Sequence, residues 1–227
     1  MKWYILLLFF PVILLAKIGT VAALSGDASI LRNAANIVIE NGSGIELKDL
    51  LITQDNSKVQ VIMRDQTIIT IGENSEYSFD EYTFEEGEDP KAFMRLKRGF
   101  FRAITGKIGK IAPKRFKIET KSATIGIRGT HFFGMIKEDE EKIGCLRGTI
   151  IVYTQLDDYV LSAGEMIVFR NGKWKKKTIS KDLNIDLKKV SKSLNEQNMM
   201  IQKAQSLSVN PSTGIIPDGI PHFDPDR

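Results

Sequence analysis

The chain has 227 residues, one cysteine, two histidines and a formal net charge of +4. A single cysteine excludes an internal disulfide framework, and His131 and His222 lie too far apart in sequence to make a paired-histidine metal site. The positive excess is small, so where the charge sits says more than its total.

Lys2 is followed by an apolar run from Trp3 to Ala16. The run is shorter than the roughly 20 apolar residues that span a bilayer. A basic residue, a short apolar core and a small terminal residue make a secretory signal peptide over residues 1–16, with cleavage expected after Ala16. Retention as an anchor is the alternative. The mature protein is expected to be exported, periplasmic in the first instance, and to meet the membrane only through this segment before cleavage.

Ile18 to Arg32 reads as a β-hairpin turning at Ser25-Gly26-Asp27. Asn41 to Gly44 is loop. Val59, Val61 and Met63 alternate with Gln60, Ile62 and Arg64, and Thr67 to Ile71 is a β-branched strand. Tyr77, Phe79, Tyr82 and Phe84 supply aromatic bulk to the next strands. Short strands recur about every ten residues with polar turns between them, which predicts an all-β domain, sandwich-like or a short solenoid. No strict repeat is visible.

Glu73 to Asp89 is acidic and Lys91 to Lys121 is basic. The acidic stretch lacks the spacing of an EF-hand loop. The basic stretch contains a candidate anion or partner surface at Arg98, Arg102, Lys107, Lys110 and Lys114, with a solvated charged rim as the alternative. Next, Phe116, Ile118 and Thr120 alternate with charged residues. Ala123-Thr-Ile-Gly-Ile-Arg-Gly-Thr130 follows, and predicts two strands joined by a tight glycine corner. On that corner Arg128 could anchor a carboxylate or phosphate.

Cys145 sits inside a strand pattern and reads as a small buried hydrophobe. Lys142 to Val152 and Tyr159 to Phe169 are further strand regions, Ser162 to Glu165 is a turn, and Asn171-Gly172 is a hairpin signal. Lys173 to Lys177 reads as a solvated edge. Leu183, Leu187, Val190, Leu194, Ile201 and Ala204 recur at helical intervals, predicting an amphipathic helix within residues 179–208. Residues 209–227 are expected to be disordered. No metal, cofactor or catalytic residue is expected.

Several segments together resemble the FecR domain. They are Gly19 to Ala28, Leu50 to Thr53, Ser57 to Ile62, Thr67 to Ile71, Gly99 to Arg102 and Phe116 to Thr130. The family-motif residues are Thr120, Ala123, Gly126, Arg128, Gly129 and Thr130. The resemblance covers about residues 18 to 170, within a β domain placed at residues 17–178. It implies an all-β, non-catalytic module that binds a protein or ligand in envelope signalling or assembly. Partners expected on this basis are an envelope protein or an anionic glycan, not nucleic acid. Only Met1 and Lys2 precede the apolar segment, so no direct sigma-factor contact is expected. An enzyme acting on envelope polysaccharide is the competing reading.

Overall fold

The computed structural model describes residues 17–181 and 183. The expected signal peptide, nearly all of the amphipathic stretch and the tail lie outside the described residues.

Fifteen strands follow in order. They are β1 (Gly19–Ser25), β2 (Ala28–Arg32), β3 (Ala35–Val38), β4 (Gly44–Ile45), β5 (Leu50–Thr53), β6 (Lys58–Met63), β7 (Ile68–Ile71) and β8 (Glu76–Thr83), then β9 (Lys91–Ile104), β10 (Phe116–Glu119), β11 (Ala123–Lys137), β12 (Glu140–Thr154), β13 (Asp158–Ser162), β14 (Glu165–Arg170) and β15 (Lys173–Thr178). One short helix, α1 (Ile108–Ile111), and one 3-10 turn (Pro113–Arg115) lie between β9 and β10.

The strands form one continuous hydrogen-bonded network, folded into two layers by the three longest strands. The first halves of β9 and β11 and the second half of β12 lie in one layer, with strand order β3-β2-β5-β8-β9-β10-β11-β12-β13. Their other halves lie in the second layer, ordered β4-β1-β6-β7-β9-β11-β12-β14-β15. All pairings are antiparallel except β9 with β10. The described fold is thus all-β, one hydrogen-bonded sheet that bends back on itself.

Each changeover sits at a glycine with positive φ: Gly99 (92°), Gly129 (63°) and Gly148 (82°). Each also coincides with a change in burial alternation. In β9 the core-facing residues are Ala92, Met94 and Leu96 before the glycine, but Phe101 and Ala103 after it. In β11 they are Ala123, Ile125 and Ile127, then Thr130, Phe132 and Ile136. In β12 they are Glu141, Ile143 and Cys145, then Ile150 and Val152. A bulge inserts one unpaired residue, and a left-handed glycine turns the strand without a Cβ penalty. The extra residue restores the inward face after the strand has turned. The segment 123–137 is thus one bent strand, not two strands joined by a corner, because the bulge keeps the ladder to β12 running on both sides of it.

The layers enclose one core. Tyr77 of the first layer meets Phe101 of the second at 5.8 Å between ring centroids, and Phe101 meets Phe132 edge-on at 5.7 Å. Each such ring contributes about 1.5–3 kcal/mol by leaving water. Cys145 is fully buried in this core.

Two polar knots join the layers at their connections. Asp65, fully buried between β6 and β7, accepts from the Thr67 hydroxyl (2.7 Å), the Ile108 amide (3.1 Å) and the Tyr82 hydroxyl (3.2 Å). Its amide in turn donates to the Tyr82 oxygen at 2.8 Å. One carboxylate therefore ties a second-layer turn, the first-layer strand β8 and α1. The Arg32 guanidinium holds Asp49 through two nitrogens at 2.8 and 2.7 Å, and also contacts Glu46 and the Gly44 carbonyl.

The expected hairpin at Ser25-Gly26-Asp27 does not form. β1 pairs with β4 and β6, whereas β2 pairs with β3 and β5. That turn carries the chain from one layer to the other. The hairpin is instead β2–β3, turning on Asn33 and Ala34 with φ of 49° and 64°. Alanine in that conformation gives no turn signal. The Asn171-Gly172 hairpin between β14 and β15 is present.

Two of the bend glycines differ in their surroundings. A Cβ on Gly99 would meet Ser75 atoms at 2.1–2.6 Å, whereas one on Gly129 meets nothing within 4 Å. Gly129→Ala is expected to cost about 1 kcal/mol through φ alone. Gly99→Ala is expected to cost about 3 kcal/mol or more, because backbone strain and a clash add. Urea unfolding of the two variants measures the difference, and equal losses would contradict this account of the bends.

Candidate functional site

The two layers close against each other along their length but part at one end. The corner after β10, the β12–β13 turn and the β14–β15 hairpin meet there. Between them lies an open cleft of about 560 Å³ lined by Lys121, Ser122, Gln155, Tyr159, Phe169 and Trp174, among others. A smaller space of about 240 Å³ adjoins it and reaches Glu141. The volume of the larger cleft falls in the range of sites that take small molecules.

Strand register explains this lining. Glu141 of β12 is the direct partner of Phe169 on β14, and Phe169 of Trp174 on β15. These are inward-facing positions that have run past the end of the core. The rings of Phe169 and Trp174 lie 5.0 Å apart. Tyr159 is the partner of buried Val152 and fills the same role in the first layer.

Glu141 lies at the floor, only 3% exposed. One carboxyl oxygen makes a short contact with the Thr120 hydroxyl, which also lies 3.0 Å from the Ala123 carbonyl. The second oxygen, Oε2, is buried with no hydrogen-bond partner. Burial pushes the Glu141 pKa up, outweighing the opposite pull of Thr120, Ser122 and Lys121. A hydroxyl has one proton to give. Thr120 therefore directs that proton to Glu141 Oε1 or to the Ala123 carbonyl at any one time.

The motif residues take separate tasks. Thr120 and Ala123 shape the floor of the mouth. Gly126 lies beneath Tyr153, whose ring would meet a Cβ there at 3.1 Å. Gly129 makes the bend, and a Cβ on neighbouring Gly148 would meet the Gly129 carbonyl at 2.6 Å. Thr130 is buried, and its amide donates to Thr105 at 2.9 Å. Arg128 is exposed beside the bend.

The five basic residues do not form one surface. Arg102 is only 8% exposed, and its Nε donates to His131. Its strand neighbours Phe101 and Ala103 face the core, so alternation marks Arg102 as outward and does not reveal its burial. Arg98 pairs with Glu76 at 2.9 Å across the β8–β9 ladder. Lys91 likewise pairs with Glu81, Arg95 with Asp80 and Glu119, and Arg115 with Asp89. The acidic and basic stretches thus neutralise much of each other. Lys107, Lys110 and Lys114 remain exposed on the crossover around α1, with no carboxylate within 4 Å among the described residues. Among the described residues no group of three or more His, Cys, Asp or Glu side chains is placed to hold a metal ion. Sequence reading missed the mouth, since its residues come from three separate turns. The aromatic residue on each side of Asn171-Gly172 was the available signal.

Comparison with known proteins places residues 49–150 in a match to the family described as FecR protein. The match runs from the start of the β5 region to the middle of β12. It bears out the resemblance over a narrower stretch than the motif order suggested, and the aromatic wall of the mouth lies beyond it. Two crystal structures of a candidate anti-sigma factor from Parabacteroides distasonis, at 1.65 and 2.50 Å resolution, resemble the fold with TM-scores of 0.49 and 0.48. Both are 17% identical, and the shared part covers 57% of this chain and 59% of that one. No curated protein matches the sequence.

Half-buried His131 and buried Glu141 give opposite pH dependences. Burial, and then the cations Arg102 and Arg147, push the His131 pKa down to about 4. Between that value and the unfolded value near 6.5, the unfolded chain binds more protons, so stability falls as pH drops through this window. The Glu141 pKa lies above the carboxylate value of 4.5, so its contribution is present at low pH and fades as pH rises through the folded value. Thermal melts from pH 4 to 8 are expected to show a flatter acid limb in His131→Asn. Glu141→Gln, whose amide keeps a donor for Thr120, is expected to gain stability relative to the parent toward pH 8. A Glu141→Gln variant losing stability relative to the parent at pH 8 would contradict the raised pKa of Glu141.

Proposed function

We propose that this chain is an exported, non-catalytic binding module of FecR type that takes an envelope partner at the mouth of its sandwich, in envelope signalling or assembly. The observation that carries this reading is the mouth itself. Aromatic residues line both of its sides, Lys121 and Lys173 lie among its lining residues, and one buried acid forms its floor. Aromatic faces give contact area at low entropic cost, and lysines favour an acidic peptide segment or an anionic glycan. The FecR match supports the signalling side of the reading. The apolar run from Trp3 to Ala16 supports export.

The polysaccharide-cleaving alternative is less well supported. Retaining and inverting glycosidases use two carboxyl groups about 5–10 Å apart across the scissile bond. Among the described residues that line the mouth, Glu141 is the one buried carboxyl, and its Oε1 already accepts from the Thr120 hydroxyl. Turnover of purified peptidoglycan by the mature chain would reverse this assignment.

A photo-crosslinking amino acid at Lys173, placed in the full chain in cells, is expected to trap a discrete envelope adduct. The same probe at Val38, 82% exposed on the distant edge strand β3, is expected to trap none. Trp174→Ala removes the stacking face and should lower the adduct yield roughly tenfold, as loss of a central aromatic contact of about 1.4 kcal/mol or more does. Equal labelling from both probes, or none from either, would discard the mouth as the binding site.

A further inference from the structure

The mouth has two kinds of wall, and together they select an occupant more narrowly than either does alone. The first kind is aromatic. Tyr159 and Trp174 pack against the main core, yet both stay half-buried, as does Phe169. The core therefore holds these rings in place while part of each lines the cleft. An aromatic face carries negative charge density, so it attracts the slightly positive hydrogens of polarised C–H bonds.

The second kind is polar and of both signs. Lys121, Lys173, Asp157 and Gln155 line the same cleft. The three charged groups among them enter no ion pair among the described residues. The adjoining space adds Glu138, Asp139 and Glu140. Glu140 is held by Lys142 at 2.5 Å, whereas Glu138 and Asp139 pair with no cation among the described residues. Unpaired lysines thus sit among unpaired carboxylates.

That balance decides between the two ligand classes a lysine could attract. An acid-dense peptide satisfies the lysines with one or two side chains and sets the rest against Asp157, Glu138 and Asp139, where like charges repel. A glycan with a carboxylate on some of its sugars brings few charges. Its hydroxyls both give and accept hydrogen bonds, which suits the Gln155 amide and the Asp157 carboxylate. Its ring faces are rows of C–H bonds, which suits the aromatic wall.

We infer that the mouth takes a segment of hydroxyl-rich glycan carrying sparse carboxylates. A sugar ring stacks on Trp174, a carboxylate is taken by Lys121 or Lys173, and hydroxyls bond to Gln155 and Asp157. The inference rests on the mouth being the binding site, as proposed above, and narrows its occupant to a saccharide.

The test uses the full chain with Trp3→Phe, which leaves Trp174 as its one tryptophan, so intrinsic fluorescence reports the mouth. Three probes are titrated at one ionic strength. A hyaluronan hexasaccharide has a carboxylate on every second sugar, chitohexaose has none, and hexaglutamate has one on every residue. The hyaluronan fragment is expected to shift Trp174 emission and to bind more tightly than either of the others. Lys121→Ala and Lys173→Ala should each weaken it by up to roughly fivefold, the loss that one exposed ion pair gives. Chitohexaose binding as tightly, or neither lysine variant changing affinity, overturns the assignment of the carboxylate. Hexaglutamate binding as tightly or more so overturns the saccharide and leaves the mouth as the site. No emission change with any probe also overturns the saccharide. The crosslink from Lys173 in cells then judges the mouth separately, since a protein adduct there upholds the site without a glycan.

Discussion

Everything in this domain depends on three strands that turn without breaking their ladders. A long flat sheet of this size would expose one face along its whole length. Gly99, Gly129 and Gly148 each insert a left-handed residue into β9, β11 and β12, and each insertion restores the inward alternation after the turn. The result is two layers made from one network, with Phe101 and Phe132 packing where the layers share strands. Gly129 and Gly148 are neighbours, so their bends are stacked and leave no room for a Cβ on Gly148. The glycine-rich motif is thus an architectural feature first, and Arg128 is exposed because it flanks the turn.

The same folding decides the electrostatics. Acidic and basic stretches adjacent in sequence become neighbouring strands, and Glu76, Asp80 and Glu81 face Arg98, Arg95 and Lys91. Exposed pairs of this kind contribute little stability each, but they fix the register of β8 against β9 and neutralise Lys91, Arg95 and Arg98. Buried polar groups act more strongly. Asp65 and Asp49 are each fully buried and surrounded by donors. Leaving such donors unsatisfied would cost about 1–3 kcal/mol apiece.

The mouth is a consequence of the same geometry. Inward-facing positions that overrun the core, namely Glu141, Phe169, Trp174 and Tyr159, line a cleft. Outward-facing Phe133, Arg102, Thr70 and Gln60 are buried as well.

Alternation and turn residues in the sequence determined the all-β class, the Asn171-Gly172 hairpin, the buried cysteine and the FecR resemblance. These are local properties: a period of two and a turn preference act within a few residues. They did not determine which strands pair, so the Gly26 turn passed for a hairpin, nor that outward-pointing Arg102 would be buried beside His131. Pairing partners are distant in sequence, and a one-residue bulge reverses which side chains point inward. Only the tertiary structure decided that Glu141 would meet Thr120, that three turns would enclose a cleft, and that acidic β8 would neutralise basic β9, because each of these contacts exists only once bent strands bring remote segments together.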